Sequence, residues 1–172
     1  LSEVEWALSQ FQGTLIAVTG TNGKSTIASM IHHTLKKASL PSFLAGNIGV
    51  PVSSIIPSLS QESFLVLELS SFQLEQLQNL NASFSVFSNF APDHLDRHKS
   101  LHNYFLCKWK VFSLIPQSSL GFCTAQILSY AKKYTAPPPQ ALLQTLEQME
   151  PHPTLTSDSF LCNQYFCALV CS

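Results

Sequence analysis

The sequence predicts an α/β fold of the P-loop type, a mostly parallel sheet with helices on both faces, and three observations carry that expectation. Short, predominantly apolar runs such as LIAV at 15–18 and FLVLEL at 64–69 alternate with helix-period segments, the pattern of buried parallel strands joined by crossover helices. One such run leads straight into TGTNGKST at 19–26 and then into TIASMIHHTLKKA, so strand, glycine loop and helix follow in that order. The length, 172 residues, suits one domain that buries about two thirds of the surface its unfolded chain exposes.

Taken in order, Ser2 and Glu5 have capping-box spacing, which predicts a first helix over residues 3–11, ended by Gln12 to Thr14. LIAV is the first strand. The helix after the glycine loop places Ile27, Met30, Ile31, Thr34 and Leu35 along one side. SFLAG at 42–46, FLVLEL at 64–69 and SFSVFSN at 83–89 are the second to fourth strands, each closed by a polar, Gly- or Pro-containing connection. Residues 101–112 form a helix with Leu101, Tyr104, Phe105, Lys108 and Phe112 on one side. LGFC at 120–123 reads as a strand and AQILSYAKKY at 125–134 as a helix, before APPPQ at 136–140 interrupts both kinds of element. ALLQTLEQME at 141–150 is expected to be a short helix, and the tail at 153–170 an antiparallel edge hairpin. There is no internal repeat.

Composition excludes several function classes. The net charge is -1 and the nine basic residues are scattered, which leaves no electrostatic footprint for nucleic acid. No apolar run approaches the ~20 residues of a membrane span, and the start at Leu1 lacks the charged and apolar regions of a signal peptide. The chain is therefore read as a piece of a longer cytoplasmic polypeptide. Its five cysteines, Cys107, Cys123, Cys162, Cys167 and Cys171, form no CxxC pair, so neither a disulfide framework nor a zinc ribbon is expected. Cys162, Cys167 and Cys171 lie in an apolar stretch and read as small core residues. Only 11% of residues are charged against a usual ~25%, which suits a domain that sits against something else.

The chemistry-bearing residues begin with the loop. The general phosphate-loop pattern G-x-x-x-x-G-K-[ST] calls for glycine where this chain has Val18. Gly20 and Gly23 still permit a turn whose successive N–H groups face an anion, Lys24 adds a point charge, and Ser25 offers a hydroxyl to Mg2+. Thr21, Asn22 and Thr26 complete the expected phosphate contacts, and the following helix presents the positive end of its dipole. Glu68 ends a buried strand and is expected at the same sheet edge, where a carboxylate can hold the cation that Ser25 touches. NFAPDHLDRHKSLH at 89–102 also follows a strand. Its His94, His98 and His102, with Asp93 and Asp96, invite a zinc reading, but no HExxH glutamate is present and the same groups serve a phosphate-bound Mg2+ or Mn2+. Lys108, on an apolar helix face, either snorkels to water or is desolvated, in which case the neutral amine can act as a nucleophile or take up CO2 as a carbamate.

Together these segments resemble the central domain of the Mur ligases, the ATP-dependent amide-forming enzymes of peptidoglycan synthesis and relatives of folylpolyglutamate synthase. The resemblance rests on TGTNGKST at 19–26, GNIG at 46–49, ELSSFQLE at 68–75 and DHLDRH at 93–98, in order over about residues 15–110. It is nearest to the branch that adds D-glutamate to UDP-N-acetylmuramoyl-L-alanine. It implies that the whole of residues 1–172 is an ATP-binding central domain, without the family's N-terminal UDP-binding and C-terminal domains, which would be its partners, and that the fragment alone is inactive. It implies two Mg2+ ions, one held by Ser25 and Glu68, the second by His94 and a carbamylated Lys108. Lys24, His94 and Lys108 become the catalytic set, and Asn47 and Gln73 the contacts to the UDP-muramoyl substrate. Another Mur or folylpolyglutamate-type ligase, or a P-loop nucleotide-binding module without amide chemistry, remains an alternative.

Overall fold

A computed structural model describes residues 2–139 and 142–145. Its centre is a six-stranded sheet in the order β2-β3-β1-β4-β5-β6. The strands are β1 (Thr14–Thr19), β2 (Ser42–Gly46), β3 (Phe64–Glu68), β4 (Phe84–Phe87), β5 (Leu120–Cys123) and β6 (Leu142–Thr145). Every neighbouring pair is parallel.

Because side chains alternate across a strand, each strand feeds two cores. On one face Ile16, Val18, Val66, Val86 and Phe122 pack against Ile27, Ala28, Ile31 and Leu35 of α2 (Lys24–Lys37). On the other, Leu15, Ala17, Leu65, Leu67 and Phe87 meet the remaining helices. These include α1 (Glu3–Ser9), α4 (Ser71–Gln76), α6 (Leu101–Ser113) and α7 (Ala125–Lys133), with α3 (Val52–Ile55) and α5 (Leu95–His98) as single turns. Helices thus cover both faces, as the sequence predicts. The caps are local: Ser2, Ser70, Ser100 and Thr124 each accept a backbone N–H three residues on. No helix among the described residues is long and apolar enough to cross a membrane.

The structure corrects one element. The segment expected as a helix over 141–150 enters the sheet as β6, whose Leu142 to Thr145 run parallel to Leu120 to Cys123. Leucine-rich LLQT favours a helix on intrinsic propensity, but the outer edge of β5 offers a ladder, and Gly121 leaves the room that Leu143 fills. The predicted hairpin at 153–170 lies outside the described residues.

From β1 the chain passes through α2 to β2 and then β3 on one side, and from β3 it crosses to β4 on the other, so the strand order reverses at β1. A crevice therefore opens at the carboxyl ends of these strands, where open α/β sheets bind ligands. Thr19, Gly46, Glu68 and Phe87, the last residues of β1 to β4, all stand at this edge.

Candidate active site

The loop between β1 and α2 is built by glycine and held by its neighbours. A Cβ on Gly20 would overlap the Ser88 hydroxyl, so only glycine fits against the end of β4. Gly23, at φ 73°, is left-handed and starts α2 without any side-chain cap, which leaves the positive end of the helix open to an anion. Asn89 clasps the loop: its side-chain oxygen accepts from Asn22 N at 2.9 Å, its Nδ2 donates to Asn22 O at 2.7 Å, and its carbonyl accepts from Thr21 N at 3.0 Å. Thr21 Oγ1 accepts from Ala91 N at 3.1 Å. Lys24 folds back so that its Nζ donates to Thr21 O at 2.8 Å. Thr26 sits exposed in the first turn of α2.

Beside the loop lies a pair of oxygen donors. Ser25 Oγ donates to Glu68 Oε2 at 2.7 Å, and Asn47 Nδ2 donates to Oε1 at 3.0 Å. Register explains the meeting, because Gly46, Glu68 and Val18 share one row across β2, β3 and β1. Glu68 is 1% exposed, so its carboxylate depends on these two donors. The hydroxyl and carboxylate are hard ligands of the kind that Mg2+ takes, and their donor set fits that ion. Asn47 therefore reaches Glu68, and its backbone N–H also bonds to Glu68 O at 2.9 Å.

Beneath the loop is Lys108, which does not snorkel. It is 1% exposed, its Nζ donates to Gly20 O at 2.6 Å, and the ammonium lies 5.0 Å from the Tyr104 ring centroid. Burial, reinforced by the Lys24 charge, lowers its pKa from 10.5 to about 7, against the opposing pull of Asp93, Cys107 and Glu68. Tyr104, whose hydroxyl is 3.3 Å from Thr21 Oγ1, ties the same helix to the loop, and burial pushes its own pKa up.

Of the three histidines of 94–102, His94 and His98 both pack against Phe72 and Tyr104, whereas His102 points elsewhere. His94, left-handed at φ 50°, faces Tyr104 with ring centroids 6.0 Å apart, and its Nε2 is 3.4 Å from Asp93 Oδ2. His98 turns to Ser71, and His102 stacks on Tyr134. Gln73 engages its side-chain oxygen with the Ser70 N–H and hydroxyl in the capping box of α4. Sequence reasoning missed Ser88 and Asn89 as loop supports. Their signal was only that polar residues end a buried strand.

The Lys108 environment makes stability depend on pH. In the unfolded chain the amine keeps its proton to about pH 10.5, whereas the folded protein releases it near pH 7. Between those values the unfolded state binds more protons, so stability rises with pH. His32 and His98, also lowered by burial, act below their ordinary value of 6.5 and so in a separate window. The melting temperature is expected to climb between pH 7 and 9, and Lys108→Met to flatten that climb in a calorimetric series. An unchanged slope in the variant would assign it to another group.

Comparison with known proteins adds the following. The Mur ligase middle domain family matches residues 18–146. A UDP-N-acetylmuramoylalanine--D-glutamate ligase from Leuconostoc mesenteroides is 48% identical over 111 residues, which is 64% of this chain and 25% of that protein. One from Desulfitobacterium hafniense is 45% identical over 111 residues, 64% of this chain and 24% of that protein. Among solved structures, a MurF ligase from Thermotoga maritima in complex with ADP superposes with a TM-score of 0.69 at 16% identity, covering 96% of this chain and 46% of that one. The chain thus spans about 25% of the length of the curated relatives it matches.

Proposed function

This chain belongs to the Mur ligase family, and from that membership we propose that residues 1–172 form the ATP-binding central domain of a cytoplasmic ligase joining D-glutamate to UDP-N-acetylmuramoyl-L-alanine. The loop N–H groups of residues 20–26 and the Lys24 ammonium hold the β- and γ-phosphates of ATP, where charge must be stabilised during transfer. Ser25 and Glu68 would hold one Mg2+, and His94 with the carbamate of Lys108 the second, where the ions would supply neutralisation of the phosphate charge. The alanine carboxylate accepts the γ-phosphoryl, and the amine of D-glutamate then displaces phosphate to leave the amide. Asn47 and Gln73 face the UDP-muramoyl substrate. The remaining contacts come from further domains of the same polypeptide.

The single observation that carries this reading is Lys108. Its amine, near neutrality at physiological pH, attacks CO2 to form an N–C bond and gives its proton to solvent, which converts a buried base into an anionic cation ligand under the phosphate loop. A kinase-like nucleotide module has no use for such a group. That the Thermotoga neighbour of the same fold was solved in complex with ADP is in keeping with nucleotide use by this domain. The deciding experiment is an amide-formation assay on the full-length polypeptide with a panel of UDP-muramoyl acceptors and amino acids, read by product mass. For the present chain, Mg2+ with ATP at 100 times its Kd is expected to add about 2.7 kcal/mol, a rise in Tm of roughly 5–10 °C. The rise should vanish in Lys24→Ala. No rise in the parent chain would favour a non-catalytic scaffold.

A further inference from the structure

Away from the phosphate loop, three side chains from three helices converge: Glu75 on α4, His98 on α5 and Cys107 on α6, with one donor atom of each within 4.8 Å of the others. Cys107 Sγ lies 3.6 Å from His98 Nδ1. A tetrahedral zinc ion, with bonds of about 2.3 Å to sulfur and about 2.0–2.1 Å to nitrogen, holds its two ligand atoms about 3.6 Å apart. The pair therefore already stands at ligand spacing.

The imidazole is also oriented for the purpose. His98 Nε2 lies 2.9 Å from Ser71 Oγ, and both residues are buried. With the proton on Nε2 donated to that hydroxyl, Nδ1 carries the lone pair and faces the thiol, the outer hydrogen bond by which proteins fix a histidine ligand. Phe72 stacks on the ring at 5.4 Å and 8°, which restrains its plane. Glu75 is exposed, and its Oε2 pairs with Arg97 at 3.2 Å; an exposed ion pair of this kind holds weakly and yields to a stronger ligand.

We infer that Glu75, His98 and Cys107 form a binding site for a borderline-soft divalent cation of the Zn2+ class, distinct from the oxygen donors of Ser25 and Glu68. Sulfur and imidazole select against Mg2+ and for zinc-like ions. On binding, the S–H bond breaks, a metal–sulfur bond forms and the proton leaves to solvent. The solvent-facing side of Glu75 leaves a position for water as fourth ligand. An ion there links α4, α5 and α6, the helices that frame Tyr104 and Lys108.

The test uses the reduced, metal-free chain titrated with Co2+ as a spectroscopic substitute for Zn2+. One equivalent is expected to give a thiolate-to-cobalt charge-transfer band with tetrahedral visible bands, both bleached by one equivalent of Zn2+ and unaffected by millimolar Mg2+. Cys107→Ser should abolish them. Glu75→Gln, at an exposed position, should weaken Co2+ binding by about tenfold or more without changing the melting temperature of the metal-free chain. Absence of the bands overturns the site, and so does a spectrum that survives Cys107→Ser, which would assign the metal to another of the cysteines. None of these readouts involves ATP or amide formation, so failure of the ligase reading would leave them unchanged.

Discussion

Replacing Lys108 with alanine in the full-length polypeptide is expected to lower amide formation by about a thousandfold, the scale on which removing a charge-stabilising group acts in a desolvated site. The loss has two sources that a second measurement separates. Truncation removes the ammonium that bonds to Gly20 O and empties space beside Tyr104, which loosens the loop from below. It also removes the amine that would carry the carbamate. Only the second deficit can be repaired by a small carboxylate, so formate or acetate should restore part of the rate to Lys108→Ala. Phosphoryl transfer, followed by ADP release in the presence of the muramoyl substrate, should fall and recover in parallel. Ligation unaffected by the substitution would remove the carbamate from the mechanism, and loss without rescue would reduce Lys108 to a support for the loop.

The second large effect is expected at Gly46, the last residue of β2. Its φ of 108° is one that side-chain-bearing residues rarely adopt, and a Cβ there would overlap the carbonyl oxygen of Glu68. The obstacle is backbone in a buried strand, which cannot swing aside as a side chain would. Gly46→Ala should therefore cost about 3 kcal/mol, the upper end for a strained backbone position, and lower the melting temperature by roughly 6–12 °C. The next residue, Asn47, bonds to both Glu68 O and Glu68 Oε1, so pushing β2 away also frees the carboxylate. Nucleotide-induced stabilisation should accordingly demand more Mg2+ than in the parent chain. A variant that melts and titrates like the parent would show that the strand ends part without cost.

Much of this arrangement was legible in the sequence because it is local. Strand, glycine turn and helix are contiguous from Thr14 to Lys37, and an acid closing a five-residue buried strand must emerge where the parallel ladder puts it, beside the same turn. Lys108 stood out because an ammonium on an apolar helical stripe has few explanations. Long-range pairing was not legible. Asn89 meets Asn22 across 67 residues, and Lys108 meets Gly20 across 88, distances over which side-chain type and spacing say nothing. His94, His98 and His102 recur at intervals of four without sharing one helix, since α5 ends at His98 and left-handed Lys99 separates it from α6. The partners of His98 therefore come from α4 and α6, and not from its own repeat. Residues 142–145 form β6 and not the expected helix because the propensity of four residues cannot compete with a waiting sheet edge, which no short sequence window contains.

The reciprocal amide clasp between Asn22 and Asn89 bears on how fast a nucleotide is caught. A loop that must be frozen by its ligand loses conformational entropy at the moment of encounter, and that loss slows association and weakens affinity. Here the freezing happens during folding, since two side-chain-to-backbone bonds and one backbone bond hold the turn before any phosphate arrives. Capture then becomes a matter of diffusion into a rigid socket. The residence time is left to the ionic contacts, that of Lys24 among them.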